Sequence, residues 1–252
     1  MVTYPILKDA EEFLYKGNEI GVLVIHGFTG STQSVHYIGK RLADNGFTVY
    51  GPRLTGHGTH PEDMEMASFQ DWIRDVEASL IKLKETCTSI FVAGLSMGGT
   101  LALYLAERHP ELKGVIPINA AIHLPNLHQN YRNLRNSGLR FAEGIGSDIK
   151  KEGVQELAYS KTPVKAMGDL ISLMEVVRKD LYKINIPMFI LSSTIDHVVP
   201  PENSKEIYNA ISSVDKTFFF LKNSYHVATL DNDKELIADE CIRFIQKHTN
   251  SE

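Results

Sequence analysis

Six short apolar runs, separated by longer segments with helical periodicity, constrain the fold of this chain most strongly. Most of the runs are nearly continuous rather than alternating, which is the pattern of parallel strands covered on both faces. The alternation of such strands with helical patterns predicts a doubly wound α/β sheet. The runs are Gly21–Ile25, Thr48–Tyr50, Ser89–Ala93, Gly114–Ile118, Met188–Leu191 and Thr217–Leu221, and the clearest helical patterns are Ser68–Lys84, Met97–Arg108, Asn203–Ala210 and Lys234–Lys247.

One long interval breaks this alternation. Between Ala121 and Lys183 we find no convincing strand, but a polar stretch at His128–Arg140 and helical-looking pieces around Val154–Ala158 and Val164–Asp180. We therefore predict an α/β core made of residues 1–120 and 184–252, with residues 121–183, the inserted segment, forming a helical cap. Ligands of parallel sheets bind at the carboxyl ends of the strands, so the cap is expected to lie there.

Composition excludes several classes of function. The net charge of −5 disfavours duplex nucleic acid as a partner, because a surface that follows phosphates needs clustered Lys and Arg. The two cysteines, Cys87 and Cys241, are interpreted as reduced thiols, and neither has the spacing of a metal site.

Targeting signals are also missing from the sequence. The first twenty residues lack the basic start and apolar run of a signal peptide, and no window reaches the ~20 apolar residues of a membrane span. We therefore expect a cytoplasmic protein without stable membrane insertion. The sequence gives no prediction of the oligomeric state.

The segment Gly94-Leu95-Ser96-Met97-Gly98 joins a predicted strand to a predicted helix. It matches the G-x-S-x-G nucleophile elbow, in which the serine occupies a strained turn and small neighbours avoid collision. The helix that follows would place its positive dipole end at the serine hydroxyl. Ser96 is therefore our candidate nucleophile, and a glycine-rich strand–helix turn without chemistry is the alternative.

A serine hydroxyl needs a base, and the base needs a group to orient it. His226 follows the last predicted strand, and Asp196 follows the strand before it, which gives the chain order serine, acid, histidine. Asp196 could instead cap the helix near Pro201, but Pro200 and Pro201 separate it from that helix. We therefore predict His226 as the base and Asp196 as its orienting acid.

Acyl transfer also needs donors for the developing oxyanion. One donor is expected from the residue after the nucleophile, Met97, and the other from the loop after the first long strand, where the Phe28 N–H is the natural candidate. Gly27 would let that loop approach closely. His26 is interpreted as a buried histidine that fixes the loop, without a catalytic role.

With these motifs in place, the whole chain resembles the α/β-hydrolase superfamily. Within it, the chain is most similar to bacterial monoacylglycerol lipases and thermostable carboxylesterases. The strings that carry the resemblance include HGFTG at 26–30, PRLTGHGTHPEDM at 52–64, GLSMGGTLALYLAE at 94–107, IGSD at 145–148 and NSYHVATLD at 223–231.

The resemblance implies an α/β-hydrolase fold, Ser96, Asp196 and His226 as a triad, and Phe28 and Met97 as oxyanion donors. It also implies that Ile145 and Glu156 face the alcohol part of the substrate. For Glu156, an exposed surface carboxylate remains an equal alternative. Arg53 and His57 belong to a loop that resembles a structural feature of the family.

We therefore expect a serine hydrolase that needs no metal or organic cofactor and cleaves a small-molecule carboxylic ester. A monoacylglycerol is the favoured substrate, and aliphatic residues of the inserted segment suggest transient contact with lipid surfaces. Two alternatives remain open. One is a carboxylesterase for short or medium acyl chains, and the other is a ligand-binding protein with slow turnover.

Overall fold

The computed structural model describes residues 3–249 of the chain. Its strands are β1 (Phe13–Tyr15), β2 (Ile20–Ile25), β3 (Thr48–Gly51), β4 (Ser89–Leu95), β5 (Gly114–Ile118), β6 (Phe141–Glu143), β7 (Lys161–Pro163), β8 (Met188–Ser193) and β9 (Lys216–Leu221). Its α-helices are α1 (Gln33–Asp44), α2 (Pro61–Met66), α3 (Phe69–Lys84), α4 (Met97–Arg108), α5 (Pro125–Ser137), α6 (Val164–Asp180), α7 (Glu202–Ala210) and α8 (Lys234–Thr249).

Seven of these strands form one sheet in the order β1-β3-β2-β4-β5-β8-β9. Every neighbouring pair is parallel except β1 with β3 at the edge. The six predicted strands all form, most of them extended by one or two residues, and the prediction of a mostly parallel α/β sheet is confirmed. The short antiparallel strand β1 was not predicted, because its three residues form no recognisable local pattern.

Helices cover both faces of the sheet, which explains the continuous apolar runs. Leu23 and Val92 belong to the hydrophobic cluster that includes α3, α4 and α6. Val22 and Phe91, next to them in sequence, belong to the cluster on the opposite face with α1 and α8. Because successive strand side chains point to opposite faces, both sets must be apolar.

Helix α3 forms as its pattern predicts. The Asp71 carboxylate accepts hydrogen bonds from the N–H and the hydroxyl of Ser68, which closes the first turn. The apolar stripe is buried, and Trp72 at its N-terminal end is fully covered. Helices α1 and α2 were not predicted.

Residues 121–183 contribute no strand to the seven-stranded sheet, but they do contain strands. Within this segment β6 pairs with β7 in an antiparallel two-stranded sheet, so the expectation of a strand-free segment is wrong. Each strand has only three residues and its partner lies far along the chain, so no local pattern reveals it. The polar stretch at 128–140 is mostly helical, as part of α5.

The expected helix around Val154–Ala158 is also wrong, since this stretch has no regular secondary structure. Two of its backbone N–H groups bond to side chains outside the stretch instead of to the carbonyl groups of a preceding helical turn. The N–H of Glu156 donates to the Ser147 hydroxyl, and the N–H of Leu157 donates to the side-chain oxygen of Gln33 on α1. Across residues 3–249, the structure has no helix that combines the length and the apolar character needed to cross a membrane.

Candidate active site

Ser96 lies at the turn between β4 and α4, with φ of 56° and ψ of −119°. A non-glycine residue in this region is strained and persists only where its surroundings enforce it. The flanking glycines are sterically required, since a Cβ on Gly94 would overlap the Gly98 carbonyl and a Cβ on Gly98 would overlap the Ile25 carbonyl. The strand–turn–helix geometry of the nucleophile elbow is therefore present.

A continuous chain of hydrogen bonds links the three residues predicted as nucleophile, base and acid. His226 Nε2 lies 2.9 Å from Ser96 Oγ, and His226 Nδ1 lies 2.8 Å from Asp196 Oδ2. The imidazole that donates from Nδ1 to the carboxylate has Nε2 free to accept the serine proton. This geometry is what general-base activation of a serine requires.

Asp196 does not cap helix α7. Its second oxygen, Oδ1, accepts the backbone N–H groups of Val198 and Val199, 2.9 and 2.7 Å away. The carboxylate is therefore held in its own loop, and its side chain is only 1% exposed. A fixed carboxylate of this kind can hold one tautomer and one orientation of the His226 ring.

The charges around His226 favour its protonated form. Burial by itself lowers the pKa of this imidazole, but the hydrogen bond and charge of Asp196, with the charges of Glu156 and Asp148, outweigh it. The pKa of His226 therefore lies above its ordinary value. An imidazolium formed during the reaction would be stabilised by the same carboxylates.

The two predicted oxyanion donors belong to segments that adjoin Ser96. Met97 is the first residue of α4, so its N–H is among the four that a helix leaves without an intrahelical partner. The loop that carries Phe28 packs directly against the nucleophile, because a Cβ on Gly27 would lie 3.4 Å from the Ser96 Cβ. The side chain of Met97 is buried in the core, so any contribution of this residue to oxyanion binding has to come from its backbone N–H.

His26 has the structural role that the sequence suggested. Its Nδ1 lies 2.9 Å from the Gly27 carbonyl oxygen, and its Nε2 accepts the Leu54 N–H at 3.2 Å. Complete burial lowers the pKa of His26 to about 4, so the ring is neutral and bridges two loops. His57 packs against it, at 5.0 Å between ring centroids.

A pocket opens above Ser96 between the sheet and residues 121–170. Ser96, Phe28, Asp196 and His226 line it, together with Ile145. Much of its wall is apolar and comes from helix α5 and the residue before it, from helix α6 and from the loop after β8. The aliphatic residues of that wall are Leu124, Leu127, Leu170, Val198 and Val199.

Glu156 also lines this pocket, so its interpretation as an exposed surface carboxylate is wrong. Its Oε1 lies against Gly30, whose missing Cβ leaves room for the carboxylate. Burial raises the pKa of Glu156 to about 7, although the facing His226 and a hydrogen bond from Ser34 oppose this. Besides Asp196, the pocket therefore has a half-buried carboxyl group, that of Glu156, which lies close to the base and can exchange hydrogen bonds with a polar substrate group.

Sequence reasoning missed two residues that hold the His226 loop. Asn119, which has φ of 45° after β5, donates from Nδ2 to the His226 carbonyl oxygen at 2.8 Å. Asp148 accepts the His226 N–H at 3.1 Å through Oδ2. Asp148 lies in the string IGSD at 145–148 that carries the family resemblance, but nothing in that string itself indicates this contact.

No group of three or more His, Cys, Asp or Glu side chains among residues 3–249 is arranged to hold a metal ion. The candidate site is thus built from a serine, an imidazole, carboxylates and backbone N–H groups.

Comparison with known proteins agrees with this geometry. Residues 18–233 match the Hydrolase_4 family, described as serine aminopeptidase, S33. The chain is 46% identical to the thermostable monoacylglycerol lipase of Bacillus sp. (strain H-257) over 97% of its own length and 98% of that protein. It is 30% identical to a carboxylesterase of Bacillus subtilis (strain 168), covering 93% and 96% of the two chains.

Solved structures give the same result. A metagenome-derived lipolytic enzyme superposes with a TM-score of 0.94 at 47% identity, covering 97% of this chain and 100% of the other. A soluble variant of monoglyceride lipase from Saccharomyces cerevisiae shares the fold, with a TM-score of 0.79 at 20% identity over 96% of this chain and 92% of the other. The chain therefore belongs to the Hydrolase_4 family of the α/β-hydrolase superfamily.

Proposed function

We propose that this carboxylic ester hydrolase cleaves monoacylglycerols to a free fatty acid and glycerol, with Ser96, His226 and Asp196 as its catalytic triad. The single observation that carries the proposal is the hydrogen-bonded chain from Ser96 Oγ through His226 to Asp196, beneath a largely apolar pocket. The 46% identity to a monoacylglycerol lipase over nearly the whole chain supports the choice of substrate.

In the proposed mechanism, Ser96 Oγ attacks the ester carbonyl while His226 Nε2 takes its proton. Asp196 stabilises the imidazolium, and the N–H groups of Phe28 and Met97 bind the oxyanion. His226 then gives its proton to the leaving alkoxide, which departs as glycerol. Water repeats the sequence on the acyl-enzyme and releases the fatty acid.

The pocket supports a substrate with one apolar and one polar end. The aliphatic residues from α5, α6 and the loop after β8 suit an acyl chain. Glu156 can bind the hydroxyl groups of glycerol. At a pH near its pKa of about 7, its carboxyl group can both donate and accept hydrogen bonds. Ile145 would border the same alcohol subsite, and residues 121–183 would act as the cap.

A carboxylesterase for short or medium acyl chains is the second candidate, favoured by the 30% identical Bacillus subtilis relative. It would use the same triad, so the difference lies in the pocket. A ligand-binding protein with slow turnover would keep the same triad, so turnover on simple activated esters separates it from an enzyme. It would hydrolyse such esters far more slowly than ~10 per second.

The test is a rate profile on monoacylglycerols of increasing acyl length, with matched alkyl esters, diacylglycerols and triacylglycerols. We expect the highest kcat/KM on monoacylglycerols and poor use of the bulkier glycerides. Comparable or better rates on short alkyl esters, with little use of glycerol esters, would establish the carboxylesterase instead.

The nucleophile is tested by Ser96→Ala. We expect this variant to fold as the wild type does and to lose turnover by a factor of about 10⁶, as for removal of a serine nucleophile. Wild-type turnover by pure Ser96→Ala protein would refute the triad. Thermal unfolding of both proteins serves as the folding control.

A further inference from the structure

The inserted segment supplies a carboxylate that joins the loop of the acid to the loop of the base. Asp148 Oδ2 accepts two backbone N–H groups, from His197 and from His226, each at 3.1 Å. Asp148 Oδ1 lies 2.8 Å from Nδ1 of His197. His197 directly follows Asp196, so this one side chain holds both partners of the imidazole–carboxylate pair in register.

The main chain around Asp148 is fastened to the same loop. The N–H of Val227 donates to the Asp148 carbonyl oxygen at 3.1 Å. The next N–H groups, from Lys150 and Lys151, donate to the carboxylate of Asp231 at 2.7 and 2.9 Å. Asp231 is fully buried and also accepts the Tyr225 N–H, one residue before the base. These hydrogen bonds hold the backbone of Asp148 and of the residues after it against the loop that carries His226.

The two sides of the His226 peptide backbone are held by different parts of the molecule. Asn119, at the end of a core strand, binds the carbonyl oxygen, and Asp148, in the inserted segment, binds the N–H. Ile145 and Gly146, just before Asp148, line the pocket. The inserted segment therefore both lines the substrate pocket and holds the backbone of His226.

We propose that Asp148 is a positioning residue, which fixes the His226 ring between Ser96 and Asp196 by clamping the acid loop to the base loop. This inference rests on the proposed function, because it assigns Asp148 a task in the same reaction. Reaction rates depend steeply on such placement, since a catalytic group displaced by about 1 Å can cost a factor of 100.

Asp148 also acts on the base through its charge. The carboxylates that face His226 are Asp196 from the loop after β8, Glu156 from the loop before β7, and Asp148. Each of them raises the pKa of His226. Removing the charge of Asp148 should therefore lower that pKa and move the acid limb of kcat/KM, where His226 becomes protonated, to lower pH.

The experiment compares Asp148→Asn with wild type on a soluble p-nitrophenyl ester across the pH range. We expect kcat to fall about tenfold to a hundredfold with little change in KM, and the acid limb to move to lower pH. Asp148→Glu keeps the charge but misplaces it, so kcat should fall while the acid limb stays near the wild-type pH.

Asp169→Asn is the matched control. Asp169 is also a carboxylate of the inserted segment that accepts a core backbone N–H, that of Phe69 at 3.2 Å, but it does not line the pocket above Ser96. Its substitution should leave kcat and the acid limb unchanged. An equal loss of kcat in Asp169→Asn and Asp148→Asn would overturn the proposal, because any substitution that loosens the inserted segment would then have the same effect.

A wild-type kcat and acid limb in folded Asp148→Asn would also overturn it. If this variant does not fold, Asp148→Glu decides. A lowered kcat with an unmoved acid limb supports the positioning role, and wild-type kcat refutes it. Ser96→Ala on the same ester separates the two proposals. If turnover survives in Ser96→Ala, the triad is refuted. If turnover is lost in Ser96→Ala but is unchanged in Asp148→Asn, only the positioning role is refuted.

Discussion

The two long helices of the inserted segment differ sharply in burial. Helix α5 has no buried residue among its thirteen, whereas α6 buries eight of its seventeen. Helix α6 packs on α3 and α4 as part of the larger hydrophobic cluster, and Leu173 and Val177 are completely covered. Helix α5 has only partly buried contacts there, through Leu127 and Tyr131.

Because of this difference, we assign the two helices different roles: α6 contributes to the stability of the fold, and α5 contributes to the substrate preference of the pocket. Helix α6 belongs energetically to the core, because its apolar face is removed from water as completely as that of a core helix. Helix α5 borders the pocket and is held lightly, in part by Tyr131 fitting against the bare Cα of Gly168 on α6. We infer that changes in α5 alter substrate preference and that changes in α6 alter folding.

The largest expected effect comes from truncating matched leucines on the two helices. Leu173→Ala on α6 removes a fully buried side chain and should lower the free energy of unfolding by about 2–5 kcal/mol. Leu134→Ala on α5 removes a half-buried side chain and should cost less than about 1 kcal/mol. Urea unfolding of both variants measures the difference, and equal losses would abolish the distinction between the helices.

An intermediate effect is expected in the loop between the helices, from Glu156→Gln. This change removes the carboxylate facing His226, so the pKa of His226 falls and the acid limb of kcat/KM moves to lower pH. We also expect kcat/KM on monoacylglycerols to fall about tenfold relative to matched alkyl esters, because a neutral amide makes weaker hydrogen bonds to hydroxyl groups than a charged carboxylate does.

Glu152→Gln is the control for this prediction, since Glu152 lies in the same loop but is exposed. It should change neither the acid limb nor the substrate preference. A Glu156→Gln variant that treats glycerol esters and alkyl esters as the wild type does would remove Glu156 from the alcohol subsite.

The smallest effect is expected from Leu127→Ala in α5. The enlarged pocket should shift the preference for acyl length by about threefold to tenfold, as one apolar contact in a pocket does. The melting temperature should change little, because Leu127 is only partly buried. The ratio of kcat/KM values over a series of acyl lengths measures the shift, and a lowered melting temperature with an unaltered ratio would contradict it.

The same contrast explains what the sequence could predict. The core strands and α4 are encoded by local patterns, because both faces of β2 and β4 must be apolar and Ser96 needs glycines on either side. The chain order of Ser96, Asp196 and His226 then follows from the strand order. These residues were found because each follows a strand whose position is fixed by the sheet.

The inserted segment could not be predicted in the same way. Helix α5 buries no residue, and its short apolar stripe of Leu127, Tyr131 and Leu134 lies in an otherwise polar stretch. Strand β6 pairs with a strand far along the chain. Glu156 reads as a surface residue because its neighbours are polar, and its burial depends on the distant Gly30. No local pattern indicates the role of Asp148 either, since its hydrogen-bond partners His197 and His226 lie in two other loops.

The strained backbone of Ser96 has a practical consequence. A φ of 56° at a serine costs about 1–3 kcal/mol and is enforced only while β4, α4 and the Gly27 loop stay tightly packed. When that packing loosens, the residue relaxes to an ordinary conformation and the hydroxyl leaves the reach of the imidazole. Ester turnover should therefore disappear before the helical signal does during mild denaturation, which makes a colorimetric assay a sensitive reporter of how intact the sheet is.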